Sequence, residues 1–112
     1  MLPVIEIRTY QLHEGSAEQF HRTMLEQALP RLIAAGTDVL AALPSLENRN
    51  AFMLVRAYAS RKDRQASQNA FYASDAWVSG PCADIMAGIA SYHTIVFEAD
   101  PSLIASMRKL GA

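Results

Sequence analysis

Two short segments of the sequence repeat the same arrangement of residues that could bind an organic anion. Ile7–Tyr10 reads IRTY and Val55–Tyr58 reads VRAY, so each has an arginine two positions before a tyrosine. Arginine binds carboxylates through paired hydrogen bonds, and tyrosine can act as a donor or weak acid. Alternatively, the arginines pair with Glu6 or a partner-chain carboxylate and serve only the structure. The candidate ligand-binding residues are therefore Arg8, Tyr10, Arg56 and Tyr58.

His93 is the candidate catalytic residue, because an imidazole can exchange a proton near neutral pH. The sequence does not decide which face of its strand His93 occupies, because positions 93, 95 and 97 mix polar and apolar residues much as positions 92, 94 and 96 do. His93 is therefore a candidate general base for a reaction that the sequence does not identify.

No pattern in the sequence predicts a metal site or a cofactor site. The three histidines, at positions 13, 21 and 93, do not have the spacing of a metal or haem site on one element. The sequence has no nucleophile elbow, glycine-rich phosphate loop or dinucleotide fingerprint. Cys82 falls on an apolar helical stripe, which favours a core position over a nucleophile. We expect neither a metal nor a cofactor.

Composition restricts the class of protein. The chain has 112 residues, 51% of them hydrophobic and 19% charged, which predicts one folded domain over residues 1–112. The formal net charge of −1 predicts no binding to nucleic acid or to an anionic membrane. Cys82 is the single cysteine, which favours a reducing compartment. No signal peptide and no apolar span of about 18 residues is expected, so we predict a soluble cytoplasmic protein.

Hydrophobic alternation and capping signals predict the order β-α-β-β-α-β, followed by a C-terminal helix. Ser16 and Gln19 predict a capping box at the start of the first helix, and Gly36 predicts its end. Ser60 and Asp100–Pro101 predict the starts of the second main helix and of the C-terminal helix. The predicted strands are VIEIRTYQL, TDVLAALPSL, AFMLVRAYA and SYHTIVFEA.

This order is that of the split βαβ, or ferredoxin-like, α+β fold. Right-handed crossovers place the first and third strands in the centre and give a four-stranded antiparallel sheet in the order 4-1-3-2. Pro44 agrees with an edge position for the second strand, because proline cannot donate to a strand ladder. Pro30 is expected to kink the first helix.

The two main helices of such a fold cover the same face of the sheet. We expect them to meet the apolar residues of the two central strands, Ile5, Ile7, Met53, Val55 and Ala57. The opposite face would then carry the Arg-x-Tyr pairs with Glu6, Leu12, Phe52 and Leu54. Such a mixed face predicts an interface, so two copies are expected to pack sheet against sheet and enclose a partly polar chamber.

The sequence resembles the NIPSNAP family in three segments. These are IEIRTYQLHEGSAEQF, LVRAYASRKDRQA and FYASDAWVSG, whose order and spacing match from about Val4 to Glu98. The resemblance implies a dimeric α+β barrel, in which the sheets of a homodimer face each other. It implies no agreed activity, since the wider superfamily includes cofactor-independent monooxygenases, isomerases and haem-degrading proteins.

Two functions remain open at this point. One is a homodimeric barrel that binds a small anionic or phenolic organic ligand without catalysis. The other is a cofactor-independent monooxygenase or isomerase for a planar organic substrate, whose own anion would activate O₂ in a desolvated site. A general base inside the chamber would favour the enzyme, and a chamber filled by its own side chains would favour the binding protein.

Overall fold

Four strands form one antiparallel sheet. They are β1 (Val4–Leu12), β2 (Asp38–Pro44), β3 (Ala51–Tyr58) and β4 (Ile89–Glu98), in the spatial order β2-β3-β1-β4. The structure is a computed structural model and describes residues 2–111. The predicted fold class and sheet order are confirmed, and Pro44 lies in an edge strand as expected.

The strand register brings the two Arg-x-Tyr segments side by side. Along β1 and β3, Glu6 lies opposite Arg56 and Arg8 lies opposite Leu54. Between the Val39–Arg56 and Ala41–Val55 pairs, Leu40 is an additional residue in β2. This bulge places Leu40 and Ala41 in the same apolar cluster instead of on opposite faces.

The first helical region is continuous from residue 17 to residue 34 but changes its winding. It consists of α1 (Ala17–Thr23), a π-helical segment (Met24–Ala28) and α2 (Leu29–Ala34). The wider turn directly precedes Pro30, which has no N–H to donate to the preceding turn. The region ends at Gly36, whose φ of +92° favours glycine, as predicted.

The predicted capping box is wrong. The Ser16 side chain makes no capping hydrogen bond, because its backbone is already close to helical (φ −93°, ψ −12°). An extended backbone is what normally carries the hydroxyl to the free N–H groups of the first turn.

The remaining helices are α3 (Arg61–Tyr72), α4 (Asp75–Val78), α5 (Cys82–Gly88) and α6 (Pro101–Arg108), followed by a 3₁₀ turn (Lys109–Gly111). The Ser60 hydroxyl accepts a hydrogen bond from the Asp63 N–H at 3.0 Å. Asp100 Oδ1 accepts one from the Leu103 N–H at 2.8 Å. The predicted starts of α3 and α6 are therefore confirmed. None of the helices in residues 2–111 is long and apolar enough to cross a membrane.

One face of the sheet, which we call the inner face, packs against α1 to α5. Its strand residues in the main core are Tyr10, Leu12, Phe52 and Leu54. The helices contribute Phe20, Met24, Leu32, Phe71, Trp77 and Ile85 to the same cluster. This core is rich in aromatic side chains and holds the helices against the strands.

The other face, which we call the outer face, is covered in part by α6. A second cluster joins Ile5, Val55 and Ala57 to Ile104 and Met107 of α6. The end of α6 is fixed by Arg108, whose two terminal nitrogens donate to the carboxylate of Asp38 at 2.7 and 2.9 Å.

The predicted assignment of the two faces is wrong. The apolar set expected beneath the main helices lies on the outer face, and the Arg-x-Tyr pairs share the inner face with the helices. Alternation identifies which residues share a face, but both faces carry apolar residues here. The outer face can be apolar because α6 covers part of it.

Candidate functional site

A buried ion pair lies at the centre of the inner face. Glu6 and Arg56 are cross-strand neighbours, and both side chains are 0% exposed. The Arg56 guanidinium donates directly to the Glu6 carboxylate. Burying either charge alone would be costly, so each residue depends on the other and on further hydrogen bonds.

Helix α3 supplies those further bonds from three residues at four-residue spacing. Arg64 and Gln68 both donate to Oε2 of Glu6. The hydroxyl of Tyr72 accepts a hydrogen bond from Arg56 at 2.8 Å. Positions four apart lie on one side of a helix, so α3 presents a polar stripe to the ion pair. Arg64, Gln68 and Tyr72 were missed from the sequence, although this spacing was visible in it.

Arg8 extends the cluster toward β4. Its terminal nitrogen lies 3.5 Å from the Glu6 carboxylate, and its Nε donates to the Thr94 hydroxyl at 3.0 Å. The guanidinium also lies 5.1 Å from the centre of the Tyr92 ring. Three arginines (8, 56 and 64) thus surround a single carboxylate, which leaves an excess of two positive charges.

The neighbouring charges and hydrogen bonds shift the pKa values of both Glu6 and Arg56 toward their ionised forms. Burial on its own would raise the pKa of Glu6, but Arg56, Arg8 and hydrogen bonds from Arg56 and Arg64 hold that pKa below its usual value. Burial would lower the pKa of Arg56, but Tyr72, Tyr58 and Glu6 raise it above its ordinary value. The Glu6–Arg56 pair is therefore ionised at neutral pH.

The two tyrosines of the candidate set have different surroundings. Tyr10 is 7% exposed and packs among aromatic rings, with the Phe20 ring at 5.5 Å and the Phe52 ring at 6.5 Å. Burial raises the pKa of Tyr10 to about 12. Burial also raises the pKa of Tyr58, whose hydroxyl accepts a hydrogen bond from Gln68 at 3.1 Å. Both phenols are neutral at physiological pH, and Tyr58 keeps a hydroxyl hydrogen to donate.

Tyr58 is the member of the candidate set that lines a cleft. The cleft has a volume of about 840 Å³ and is bounded by α2, the end of β3, α3 and Ile104 of α6. Small side chains leave this space open: Ala34, Ala35, Ala57, Ala59, Ala70 and Ala76 all line it. Its volume is in the range of small-molecule sites.

Arg31 is the cationic side chain that lines the large cleft among residues 2–111, and it was missed from the sequence. It donates to the Gln27 carbonyl at 3.0 Å but forms no ion pair with residues 2–111. Asp38 is paired with Arg108, whereas Asp63 forms no ion pair with those residues and accepts hydrogen bonds from Ala59 and Ser67. The large cleft therefore combines an apolar wall, a phenol donor, the Arg31 guanidinium and a hydrogen-bonded Asp63 carboxylate.

Gly80 allows Arg31 to occupy this position. A Cβ atom at Gly80 would lie 3.0 Å from Nε of Arg31 and 2.3 Å from the carbonyl oxygen of Ala76. The second distance is shorter than real contacts allow, so the turn between α4 and α5 requires glycine.

His93 lies away from these groups. It pairs with Thr9 in the β1–β4 register, so it shares the outer face with Ile7 and Ile95, and it is exposed. The ambiguity about its face is thus resolved in favour of the outer one. Among residues 2–111, no group of three or more histidine, cysteine, aspartate or glutamate side chains is arranged to hold a metal ion.

The fold and the arginine cluster define a ferredoxin-like α+β protein with a polar layer between the sheet and its helices. No family model matches the sequence, and no curated protein sequence matches it. Solved structures do match, and they have the NIPSNAP-like fold that the resemblance predicted, so that prediction is confirmed.

A NIPSNAP family protein from Agrobacterium tumefaciens is 13% identical, with a TM-score of 0.80 over 88% of this chain and 94% of its own. A second NIPSNAP family protein of unknown function from the same organism is 18% identical, with a TM-score of 0.80 over 88% and 89%. A protein proposed to be an antibiotic biosynthesis monooxygenase, from Nitrosomonas europaea, is 15% identical, with a TM-score of 0.67 over 87% and 89%. At these identities the similarity establishes the fold.

Proposed function

We propose that the protein binds a small organic ligand with an anionic or phenolic group in the large cleft beside Tyr58. The single observation that carries this proposal is that Arg31, which forms no ion pair with residues 2–111, lines the same 840 Å³ cleft as Tyr58. An anionic head group would pair with Arg31 and accept a hydrogen bond from Tyr58. Its organic body would lie against the alanines and Phe71.

The arginine cluster supports this choice of charge. Gln68 connects Tyr58 to Glu6 through hydrogen bonds, so the cluster lies directly behind the phenol. The excess positive charge there favours an anion at Tyr58. In this proposal Arg56 and Arg8 act on the ligand through their charge, and Tyr10 supports the aromatic core under β1.

The test is retention and binding of probe ligands by matched variants. Native mass spectrometry of the purified protein should show a retained small molecule, and a thermal-shift panel of aromatic carboxylates and phenols should identify binders. Arg31→Met and Tyr58→Phe should each weaken binding of the best probe by about tenfold or more, because a hydrogen bond to a charged group is lost.

Arg49→Met is the matched control, because Arg49 is an exposed arginine in the turn between β2 and β3. It should leave the affinity for the probe unchanged. If both cleft variants bind the probe as tightly as the unaltered protein does, the large cleft is not the site.

The alternative function is a cofactor-independent monooxygenase or isomerase. The observation in its favour is the shared fold with proteins proposed to be antibiotic biosynthesis monooxygenases. His93 is not among the described residues that line the large cleft, so a general base there would have to be another residue. If the protein consumed oxygen in the presence of a bound phenolic ligand, and Tyr58→Phe abolished this activity without loss of binding, the enzyme would be favoured.

We also propose that the protein is a homodimer that pairs through the outer face. Its exposed part carries apolar side chains at Ile95, which is 64% exposed, and at Ile7 and Met53, which are half-buried. A contiguous apolar surface of this kind favours association with a second copy. A cytoplasmic location remains a prediction that rests on Cys82 as the single cysteine.

A further inference from the structure

A second, smaller cleft lies on the other side of α3 from the large cleft. Its volume is about 420 Å³, and it is lined by Arg61, Lys62, Arg64, Gln65 and Val96. The first two turns of α3 form one wall and β4 forms the other. It shares no lining residue with the large cleft and plays no part in the proposed function.

Among residues 2–111, those that line the second cleft include three cations and no acidic residue. Asp63, the acidic residue in the same turn of α3, lines the large cleft instead and accepts hydrogen bonds from the Ala59 N–H and the Ser67 hydroxyl. Arg61 and Lys62 are exposed and form no ion pair with residues 2–111. These two positive charges therefore have no ion-pair partner within residues 2–111.

The third cation, Arg64, is not neutralised either. Its Nε donates to Glu6, but that carboxylate is already shared with Arg8 and Arg56. The terminal nitrogens of Arg64 have no recorded acceptor among residues 2–111, so they keep donors for a ligand. The second cleft is thus lined by one guanidinium that Glu6 holds in position and by two exposed cations.

We propose that this second cleft binds the phosphate group of a phosphorylated small molecule. A phosphate group carries close to two negative charges and several acceptor oxygens, which suits a guanidinium fork together with an ammonium group. Val96 gives the cleft an apolar wall, against which the organic part of the phosphorylated molecule would pack.

The experiment measures binding of two probes, inorganic phosphate and phenyl phosphate, by calorimetry at low ionic strength. Both should bind saturably and in competition with each other. Arg61→Gln and Lys62→Met should each weaken binding by about tenfold, because each removes a charge-assisted contact. Both residues are exposed, so neither variant is expected to unfold the protein.

A control variant and a comparison with vesicles that contain anionic lipid decide the outcome. Arg49→Gln, which removes an exposed arginine in the turn between β2 and β3, should bind both probes like the unaltered protein. A loss of affinity in Arg49→Gln as large as in Arg61→Gln would mean that only overall charge matters, and would overturn the site. Absence of saturable binding to either probe, or binding only to vesicles that contain anionic lipid, would also overturn it.

Discussion

Glu6 is the residue on which the polar inner face depends. It is fully buried, yet it accepts hydrogen bonds from Arg56, Arg64 and Gln68 and lies beside Arg8. A buried ion pair of this kind adds little net stability compared with an apolar pair. Removing one partner is a different matter, because it leaves the remaining charges buried without compensation.

Glu6→Gln should therefore destabilise the protein by about 3–5 kcal/mol at neutral pH, because Arg56 loses its counter-charge. The free energy of unfolding, measured in urea, gives this value directly. Glu14→Gln is the control, because Glu14 is exposed in the turn after β1. A loss below about 1 kcal/mol in Glu6→Gln would contradict the proposed dependence of Arg56 on Glu6.

The same residue predicts the response of stability to acid. The pKa of Glu6 is lowered in the folded state from a usual value of 4.5, so its ionised form stabilises the fold fully above about pH 4.5. That contribution is lost as the pH falls from 4.5 through the folded-state pKa. Glu6→Gln should therefore lose less stability on acidification than the unaltered protein does. Equal acid sensitivity of the two proteins would assign the effect to other carboxylates.

At the scale of elements, α3 shows what the sequence could have revealed. Arg64, Gln68 and Tyr72 recur at four-residue spacing and make a polar stripe next to the apolar Phe71. A polar stripe on a helix is normally read as its solvated side. Here it is directed at the sheet because Glu6 and Arg56 need partners there. Matching polar positions on the helix to those on the strands would have identified the correct face.

Helix α6 is the element whose role the sequence left unstated. Its start at Asp100–Pro101 was predictable from capping chemistry, and the structure confirms it. Its docking residues were not, because helical spacing groups Leu103, Met107 and Leu110 on one side, whereas Leu103 and Leu110 are exposed in the structure. Ile104 and Met107 pack against the outer face, and Ile104 also reaches the large cleft.

Ile104→Ala should lower the stability by about 1–2 kcal/mol, since a half-buried side chain loses three carbons of apolar contact. The melting temperature is the measurement, and Leu103→Ala is the control because the neighbouring Leu103 is 42% exposed. The control should lower the melting temperature less. Equal effects of the two substitutions would mean that α6 does not dock through Ile104.

At the scale of the whole molecule, the fold was predictable and the assignment of its faces was not. Two-residue alternation, capping residues and Pro44 were sufficient for the strand order, because each is a local signal. Which face the helices cover depends on long-range packing. Both faces of β1 and β3 carry apolar residues, since one meets the main helices and the other meets α6.

The reversed faces change which residues should control assembly. If Leu54 lay on the outer face, Leu54→Asp would be the natural test of a dimer. Leu54 is 1% exposed in the core beneath the helices, so Leu54→Asp should unfold the chain instead of separating two copies. The residues that remain available for pairing are those of the outer face that α6 does not cover.

Ile95→Asp should therefore convert a dimer into a folded monomer, because the interface would otherwise bury an unpaired carboxylate in apolar surroundings. Sedimentation at micromolar concentration measures the assembly, and circular dichroism checks that the chain stays folded. Ile33→Asp is the matched control: Ile33 is 61% exposed and Ile95 is 64% exposed, but Ile33 lies on α2 on the helical side. A stable monomer of the unaltered protein, or dissociation by Ile33→Asp and not by Ile95→Asp, would contradict pairing through the outer face.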